Sequence, residues 1–217
     1  TNTINLRVAQ NSGIFTNVAA GNYTIRGLDA NNCANATPFS IAVPAPVAVT
    51  AEINRSLSDL CYDSLNQASL IAEVTSGTAP FSYSLDGANS QTENTFTNIG
   101  PGIHAIKVTD SNNCVALTQD ILIGDELKVT AALTKTVDCT SSPNAVITVN
   151  FEGGARPLRY QIKKGSTTLT TSDITIPNAD SSFTYTVSEA NAGAYSFIIT
   201  DANGCSKTTD IITVSAK

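Results

Sequence analysis

The sequence has no methionine, no tryptophan and a single histidine, and charged residues make up only 14% of its 217 positions. Because Glu, Lys, Leu and Met are common helix formers, a chain poor in charge and without Met has little material for helices. Threonine, which favours strands, occurs 29 times. The composition therefore predicts an all-β protein, and the missing Met leads us to expect an internal segment of a longer polypeptide.

Basic residues are also scarce. Twelve Lys and Arg against 18 Asp and Glu give a formal net charge of −6 and a pI near 4.6. Nucleic-acid binding requires clustered Lys and Arg, so we expect no nucleic-acid partner. The sequence has no run of about 18 apolar residues that would predict a membrane span, and residues 1–20 lack the basic-then-apolar order of a signal peptide.

One ending occurs three times in the chain. The copies are "GNYTIRGLDANNC" (21–33), "GIHAIKVTDSNNC" (102–114) and "GAYSFIITDANGC" (193–205). The final Cys of each copy follows the previous one by 81 and then 91 residues. Intervals of this size are typical of small β-sandwich domains, so the repeats predict tandem domains.

Two of the copies also share a front half. "CYDSLNQASLIAEVTSGTAPFSY" (61–83) and "CTSSPNAVITVNFEGGARPLRY" (139–160) both contain a Cys, an apolar strand and the pattern G-x-x-P-x-x-Y. The first copy lacks this half. We therefore predict the C-terminal part of one repeat followed by two complete repeats, with the bounds 1–44, 45–126 and 127–217.

Short alternating apolar runs, such as "ASLIAEV" (68–74) and "VALTQDILI" (115–123), fill each complete repeat. Gly, Pro, Asn and Asp clusters separate them, which is typical of strands joined by turns. Six or seven such strands predict an immunoglobulin-like β-sandwich. The linkers "VPAPVA" (43–48) and "IGDEL" (123–127) are short, which favours a rod of domains in line.

The Asp of each ending lies four residues before the Cys, at Asp29, Asp110 and Asp201. Asp and Asn accept left-handed backbone angles and bond their own backbone, so we interpret these stretches as hairpin turns. A calcium site is a weaker hypothesis, with Asp110, Asp125 and Glu126 as candidates, because calcium needs about six to eight oxygen ligands. We predict no other metal site and no cofactor.

An aromatic residue stands two positions after the Gly of each ending: Tyr23, His104 and Tyr195. This position resembles the tyrosine corner of sandwich domains, and His104 is interpreted as a structural substitute. With one His and no G-x-S-x-G or H-E-x-x-H motif, no catalytic site is predicted, and we expect no enzyme. Tyr83 and Tyr160 are predicted core residues, with a carbohydrate-stacking shelf as the alternative.

Five cysteines without C-x-x-C spacing indicate structural disulfides and an oxidising compartment. Pairing within a repeat would give Cys61–Cys114 and Cys139–Cys205. In an immunoglobulin-like fold, however, the front and end turns lie roughly 20 Å apart at opposite ends, whereas disulfide Cα atoms lie within about 7 Å. We favour an inter-repeat bond, Cys61–Cys205, with Cys33, Cys114 and Cys139 bonded outside the segment; pairing within repeats remains open.

The order of Cys, apolar strand, "GTAPFSY" or "GGARPLRY" and then "GAYSFIITDANGC" resembles the tandem repeats of SprB-type cell-surface adhesins of gliding Bacteroidetes. The resemblance implies a stalk segment of a long, secreted, surface-anchored filament, exported by the type IX system, that serves adhesion and gliding motility. Its partners would be neighbouring repeats and surface polysaccharide. "DSL" (63–65) resembles the O-glycosylation signal of these bacteria, which makes Ser64 a candidate site. The alternative function is a carbohydrate- or protein-binding module.

Overall fold

The computed structural model describes residues 12–34, 37–141, 143–170 and 173–217. The described residues form antiparallel β-strands and one short 3-10 turn, Glu189–Asn191, and include no α-helix. The all-β prediction is therefore confirmed. The predicted first unit, residues 1–44, lies partly outside the described residues.

The described part of the first unit contributes a two-stranded hairpin. Strands β1 (Gly21–Ile25) and β2 (Phe39–Val43) pair antiparallel, with Tyr23 opposite Ile41. The hairpin corresponds in sequence to the last strands of each complete repeat.

The second repeat contains eight strands in three small sheets. β3 (Thr50–Ile53), β4 (Ala68–Ser76) and β6 (Thr95–Ile99) form one sheet, and β5 (Ser82–Leu85), β8 (Ile106–Thr109) and β9 (Val115–Leu117) form another. The pair β7 (Gly102–His104) and β10 (Ile121–Ile123) completes it. One cluster of buried apolar side chains, from Val49 to Ile123, packs between them.

The described residues of the third repeat form nine strands in two sheets. β11 (Lys128–Lys135), β12 (Ala145–Glu152) and β16 (Ser182–Val187) form the first. The second is built on β13 (Leu158–Lys164) and β17 (Gly193–Thr200), with β14 (Thr167–Thr168), β15 (Ile174–Ile176), β18 (Ser206–Thr208) and β19 (Ile212–Val214) at their sides. A separate apolar cluster, from Leu127 to Val214, fills the space between the sheets.

The alternation of buried and more exposed side chains along the strands explains how these cores form. On β12, Ala145, Ile147, Val149 and Phe151 are all buried, while the residues between them are more exposed. Successive side chains of a strand point to opposite faces, so one face of β12 covers the core. In each complete repeat, antiparallel sheets pack around an apolar layer, which gives the predicted immunoglobulin-like sandwich. The exact bounds 45–126 and 127–217 remain a prediction.

The predicted strand 115–123 is two strands, because the chain bulges at Thr118. The Thr118 hydroxyl accepts a hydrogen bond from the Ile106 N–H at 2.9 Å, in place of a backbone carbonyl. In the third repeat, Thr209 accepts from the Phe197 N–H at 3.1 Å. Both threonines are buried, so the hydroxyl satisfies a polar group inside the sheet.

Candidate functional site at the junction of the complete repeats

The three predicted hairpin turns share one hydrogen-bond pattern. In each, one carboxylate oxygen of the Asp accepts hydrogen bonds from two backbone N–H groups, those two and four residues later. The distances are 2.8 Å for both bonds at Asp29 and 2.9 Å for both at Asp110 and Asp201. The second donor is always the N–H of the Cys. The Asp therefore fixes the backbone position of each end cysteine.

Left-handed backbone angles complete these turns. Asn32, Asn113 and Gly204, which precede the cysteines, have φ values of 62°, 62° and 91°. Asn and Gly are the residues that adopt such angles at least cost. This accounts for Asn-Cys or Gly-Cys at the end of every copy.

The other oxygen of the Asp holds the G-x-x-P loop. Asp110 Oδ2 accepts from the Thr78 N–H at 3.2 Å, and Asp201 Oδ2 accepts from the Ala155 N–H at 2.9 Å. Burial raises the pKa of Asp110, but the N–H donors of Cys114, Thr78 and Asn112 outweigh it, so the net pKa lies below its ordinary value of 3.8. The hydrogen bonds that join the Asp110 hairpin to the G-x-x-P loop therefore favour the carboxylate form of Asp110.

A disulfide joins the two complete repeats. Cys61, between β3 and β4, is bonded to Cys205, between β17 and β18, with 5.4 Å between their Cα atoms. This is the inter-repeat pair that the sequence analysis favoured, and the structure contains neither Cys61–Cys114 nor Cys139–Cys205. The front turn of one repeat thus faces the end hairpin of the next.

Polar contacts surround the disulfide. Lys207 Nζ lies 3.5 Å from Asp63 Oδ2, across the junction. The N–H groups of Leu65 and Asn66, followed by Lys207, lower the pKa of Asp63 below 3.8, against the effect of burial. The Asn203 side chain donates to the Leu122 carbonyl of the preceding repeat at 2.8 Å. Contacts from Asn203 and Lys207, which lie on either side of Cys205, therefore join the end hairpin of the third repeat to the second repeat.

The linker itself packs tightly against the third repeat. The Gly154 N–H donates to the Asp125 carbonyl at 2.8 Å. A Cβ atom added at Gly124 would overlap the backbone of Gly154 and Ala155, and one at Gly153 would overlap the Glu126 carbonyl. Only glycine allows this approach at either position, so the linker has a fixed place beside the G-x-x-P loop.

Three cysteines are unpaired among the described residues: Cys33 and Cys139 are exposed, and Cys114 is half-buried. Cys139 occupies the front turn of the third repeat, and its Sγ lies 4.0 Å from Lys217 Nζ, near the end of the last strand. Cys114 occupies the end hairpin of the second repeat, which corresponds to that of Cys205. The free thiols therefore occupy the same positions in their repeats as the two bonded cysteines.

In each repeat, the side chain at the tyrosine-corner position bonds a backbone carbonyl just before the strand that leads into the end hairpin. The Tyr23 and Tyr195 hydroxyls donate to carbonyls four residues earlier, at 2.7 Å to Ala19 and 2.5 Å to Asn191. His104 Nε2 makes the equivalent contact with the Gly100 carbonyl at 3.0 Å. His104 Nδ1 also lies 2.7 Å from Asp86 Oδ2, a contact that a tyrosine would not make.

The weak calcium candidates are not brought together. Asp201, rather than Asp110, is the Asp near the Asp125–Glu126 linker. It accepts a hydrogen bond from the Ala155 N–H, and the neighbouring Gly154 N–H donates to the Asp125 carbonyl. Across the part of the chain that the structure describes, no group of three or more His, Cys, Asp or Glu could hold a metal ion.

The repeated tyrosines pack inside the protein. Tyr83 is buried, and Tyr160 stacks on Phe183 with 4.1 Å between ring centroids. Burial raises the pKa of both tyrosines. Among the described residues of the complete repeats, the strongly exposed large apolar side chains are all aliphatic, which gives no support to a stacking shelf. Ser64 is exposed, in a turn that Asp63 stabilises.

Sequence reasoning missed Thr118 and Thr209, whose hydroxyls accept backbone hydrogen bonds. A Thr follows each end cysteine by four residues, at Thr37, Thr118 and Thr209. This spacing was a visible signal, extending the motif to D-x-N-x-C-x-x-x-T. It was overlooked because threonine is common along the whole chain.

No protein-family model matches this chain, and no curated protein does either. Among solved structures, the chain is similar to the fibronectin(III)-like modules of Clostridium thermocellum CbhA, with 13% identity over 77% of this chain and 95% of that one, at a TM-score of 0.40. It is similar to a three-Ig segment of titin, with 11% identity over 89% and 82%, at a TM-score of 0.39. It is also similar to a tetra-tandem repeat in the extending region of a large adhesion protein, with 13% identity over 93% and 58%, at a TM-score of 0.34.

The disulfide, the ion pair and the linker hydrogen bonds can transmit force between the two sandwiches and fix their relative orientation. Its disulfide fits an extracellular protein. No helix in the described ranges has the length and apolar character needed to cross a membrane.

Proposed function

We propose that the chain is a structural stalk segment of a long, secreted cell-surface adhesin filament of the SprB type, serving adhesion and gliding motility and acting without enzymatic activity. The observation that carries this proposal is the junction, where a disulfide, an ion pair and linker hydrogen bonds fasten two successive sandwiches. A spacer that bears load needs such a fastening, whereas loosely tethered binding modules do not.

The same fastening extends along the filament in this proposal. Since the front cysteine of the second repeat bonds to the end cysteine of the third, Cys139 would bond to the end cysteine of a following repeat. Cys33 and Cys114 would bond to front cysteines of preceding repeats. Every junction would then have one covalent bridge. Ser64, exposed beside one such bridge, is the proposed O-glycosylation site.

Small-angle X-ray scattering tests the rigid junction. We expect the oxidised chain to give one narrow distribution of pair distances, and the double variant C61S/C205S to give a broader one with the same folded repeats. The variant C114S removes a free thiol and serves as the matched control. Equal distributions for all three proteins would refute a stalk whose stiffness depends on this bridge.

Experiments on the native cells test the adhesin role. Antibodies against residues 45–217 should label filaments on unpermeabilised cells, and deletion of these residues from the gene should reduce attachment and gliding speed. Labelling only inside the cell would refute the proposal. Direct binding of a polysaccharide panel by the isolated chain would instead favour the binding-module alternative.

A further inference from the structure

The β1–β2 hairpin has an apolar face that the described residues leave open. Pairing in register places Tyr23 beside Ile41 and Ile25 beside Phe39 on this face. The exposed fractions are 36% for Ile25, 44% for Ile41 and 63% for Phe39. We call these four residues and Val43 the open face.

The complete repeats show what covers the equivalent face. Tyr195, Phe197 and Val214, which correspond to Tyr23, Ile25 and Val43, are at most 2% exposed. In the second repeat, Ile106 and Ile121 stand for Ile25 and Ile41 and are equally buried. The covering elements are the opposite sheet, which includes the strand after the front cysteine: β4 in the second repeat and β12 in the third.

The edge of β1 is open as well. In the described residues, β1 pairs only with β2. In the third repeat, the counterpart of β1 is the first part of β17, which also pairs with β13. In the second repeat, the counterpart is β7, and β8, which continues it, pairs with β5. An unpaired strand edge is a ready site for an added strand.

Cys114 provides an independent indication of the same partner. Its hairpin has the hydrogen bonds of the Cys205 hairpin, with both N–H donors 2.9 Å from the carboxylate oxygen of the Asp. Cys205 bonds to the front cysteine of the repeat before it. The repeat before Cys114 is the one that contains the open face.

We propose that the open face and the free edge of β1 bind the front strands of a repeat of this chain's own kind, and that the front cysteine of that partner bonds to Cys114. The partner carries a cysteine, an alternating apolar strand and a G-x-x-P-x-x-Y strand. The Cys114 bond rests on the proposed series of bridges between repeats, whereas the docking of the front strands concerns how the first repeat is completed and does not depend on the adhesin role.

The covalent step is an exchange with a small disulfide such as oxidised glutathione. The two cysteine thiols lose two protons and two electrons as their S–S bond forms, and glutathione disulfide is reduced to two glutathione thiols. The bond can form only where the partner brings its thiol to the Cys114 hairpin.

The test is a fusion that places a copy of residues 45–92 before residue 1 of the full chain. The copy carries Y62F, so that its cysteine-containing peptide differs in mass from the original. After incubation with a glutathione redox buffer, we expect a peptide that links the copied cysteine to Cys114. Hydrogen exchange of the β1 and β2 amides should slow by a factor on the order of a hundred or more relative to the unfused chain.

Two control fusions separate docking from cross-linking. A fusion whose copied cysteine is replaced by Ser should keep the slow exchange but leave Cys114 open to iodoacetamide. A fusion with the copied residues in scrambled order should give neither effect. Exchange in β12 and β17 reports, in each protein, that the third repeat is folded.

The proposal fails if the fusion leaves exchange in β1 and β2 unchanged and Cys114 alkylatable while the third repeat is folded. It also fails if the unfused chain already protects β1 and β2, because residues 1–11 or another part of the chain would then be the occupant. Neither failure would alter the scattering or cell experiments on the stalk.

Discussion

The Cys61–Cys205 bridge predicts how far the chain extends when its ends are pulled. The bridge spans a sequence separation of 144, so 143 residues, 62–204, lie between the two cysteines. Force applied at the termini passes from Cys61 across the bond to Cys205. Residues 62–204 are therefore shielded from the load while the bond is intact.

The shielded length follows from chain geometry. At roughly 3.5 Å per extended residue, the 143 shielded residues have an extended length of about 500 Å, which the intact bond keeps from being stretched. The 74 unshielded residues have an extended length of at most about 260 Å. Single-molecule force spectroscopy of the full chain, tethered at its termini, should give the shorter extension when oxidised. Reductant or the variant C61S/C205S should add about 500 Å.

A control variant and other disulfide pairings give extensions that this assay distinguishes. The variant C114S should behave as the unaltered chain, since its bridge remains. Bonds within repeats, Cys61–Cys114 and Cys139–Cys205, would instead hide two segments of about 180 and 230 Å. Full extension of the oxidised chain, or two such segments, would refute the inter-repeat load path.

Three further predictions concern the loops around the junction. Replacing Gly124 with Ala, which overlaps the Ala155 backbone, should lower the free energy of unfolding by about 1–3 kcal/mol in urea titrations, whereas G100A, with open space around it, should change it by less than about 0.5 kcal/mol. The variant Y195F removes the hydroxyl donor to a backbone carbonyl and should cost about 1 kcal/mol in the same titration; no change would contradict a stabilising corner. Because the folded-state pKa of Asp110 is lowered, its contribution to stability is complete above the ordinary value of 3.8 and is lost as pH falls through the lower folded value. Thermal unfolding followed by circular dichroism should therefore show a weaker acid dependence for D110N than for the unaltered chain, and equal slopes would contradict this assignment.

The strand pattern was readable from the sequence because each element repeats. Alternating runs between Gly, Pro and Asn clusters predicted the sandwich, and β4 and β12 lie where those runs indicated. The split of residues 115–123 was not predicted, because an alternating run does not reveal that the Thr118 hydroxyl replaces a backbone acceptor.

The disulfide was predictable only in part. The positions of Cys61 and Cys205 in their turns favoured a bond between repeats, but two arrangements stayed open until the turns were placed in space. The polar contacts beside the bond were not predicted. The Lys207–Asp63 pair joins residues 144 positions apart, and no local pattern marks either residue as a partner of the other.

The glycine contacts of the linker were also invisible in the sequence. The sequence places Gly124 in the linker and Gly153 in the shared front half, but it does not predict that either glycine contacts another backbone. Their necessity comes from the close approach of two backbones from different repeats, which only the relative placement of those repeats determines.

The distance between Cys61 and Cys205 along the chain also sets an order of events during folding. Because the two thiols belong to different sandwiches and their Cα atoms must come within 5.4 Å, the native bond can close only after both turns have taken their final positions. Cys61 therefore cannot form its native bond until the third repeat has placed Cys205 beside it. In the proposed filament, each closed bridge would mark two consecutive repeats whose facing turns have both formed.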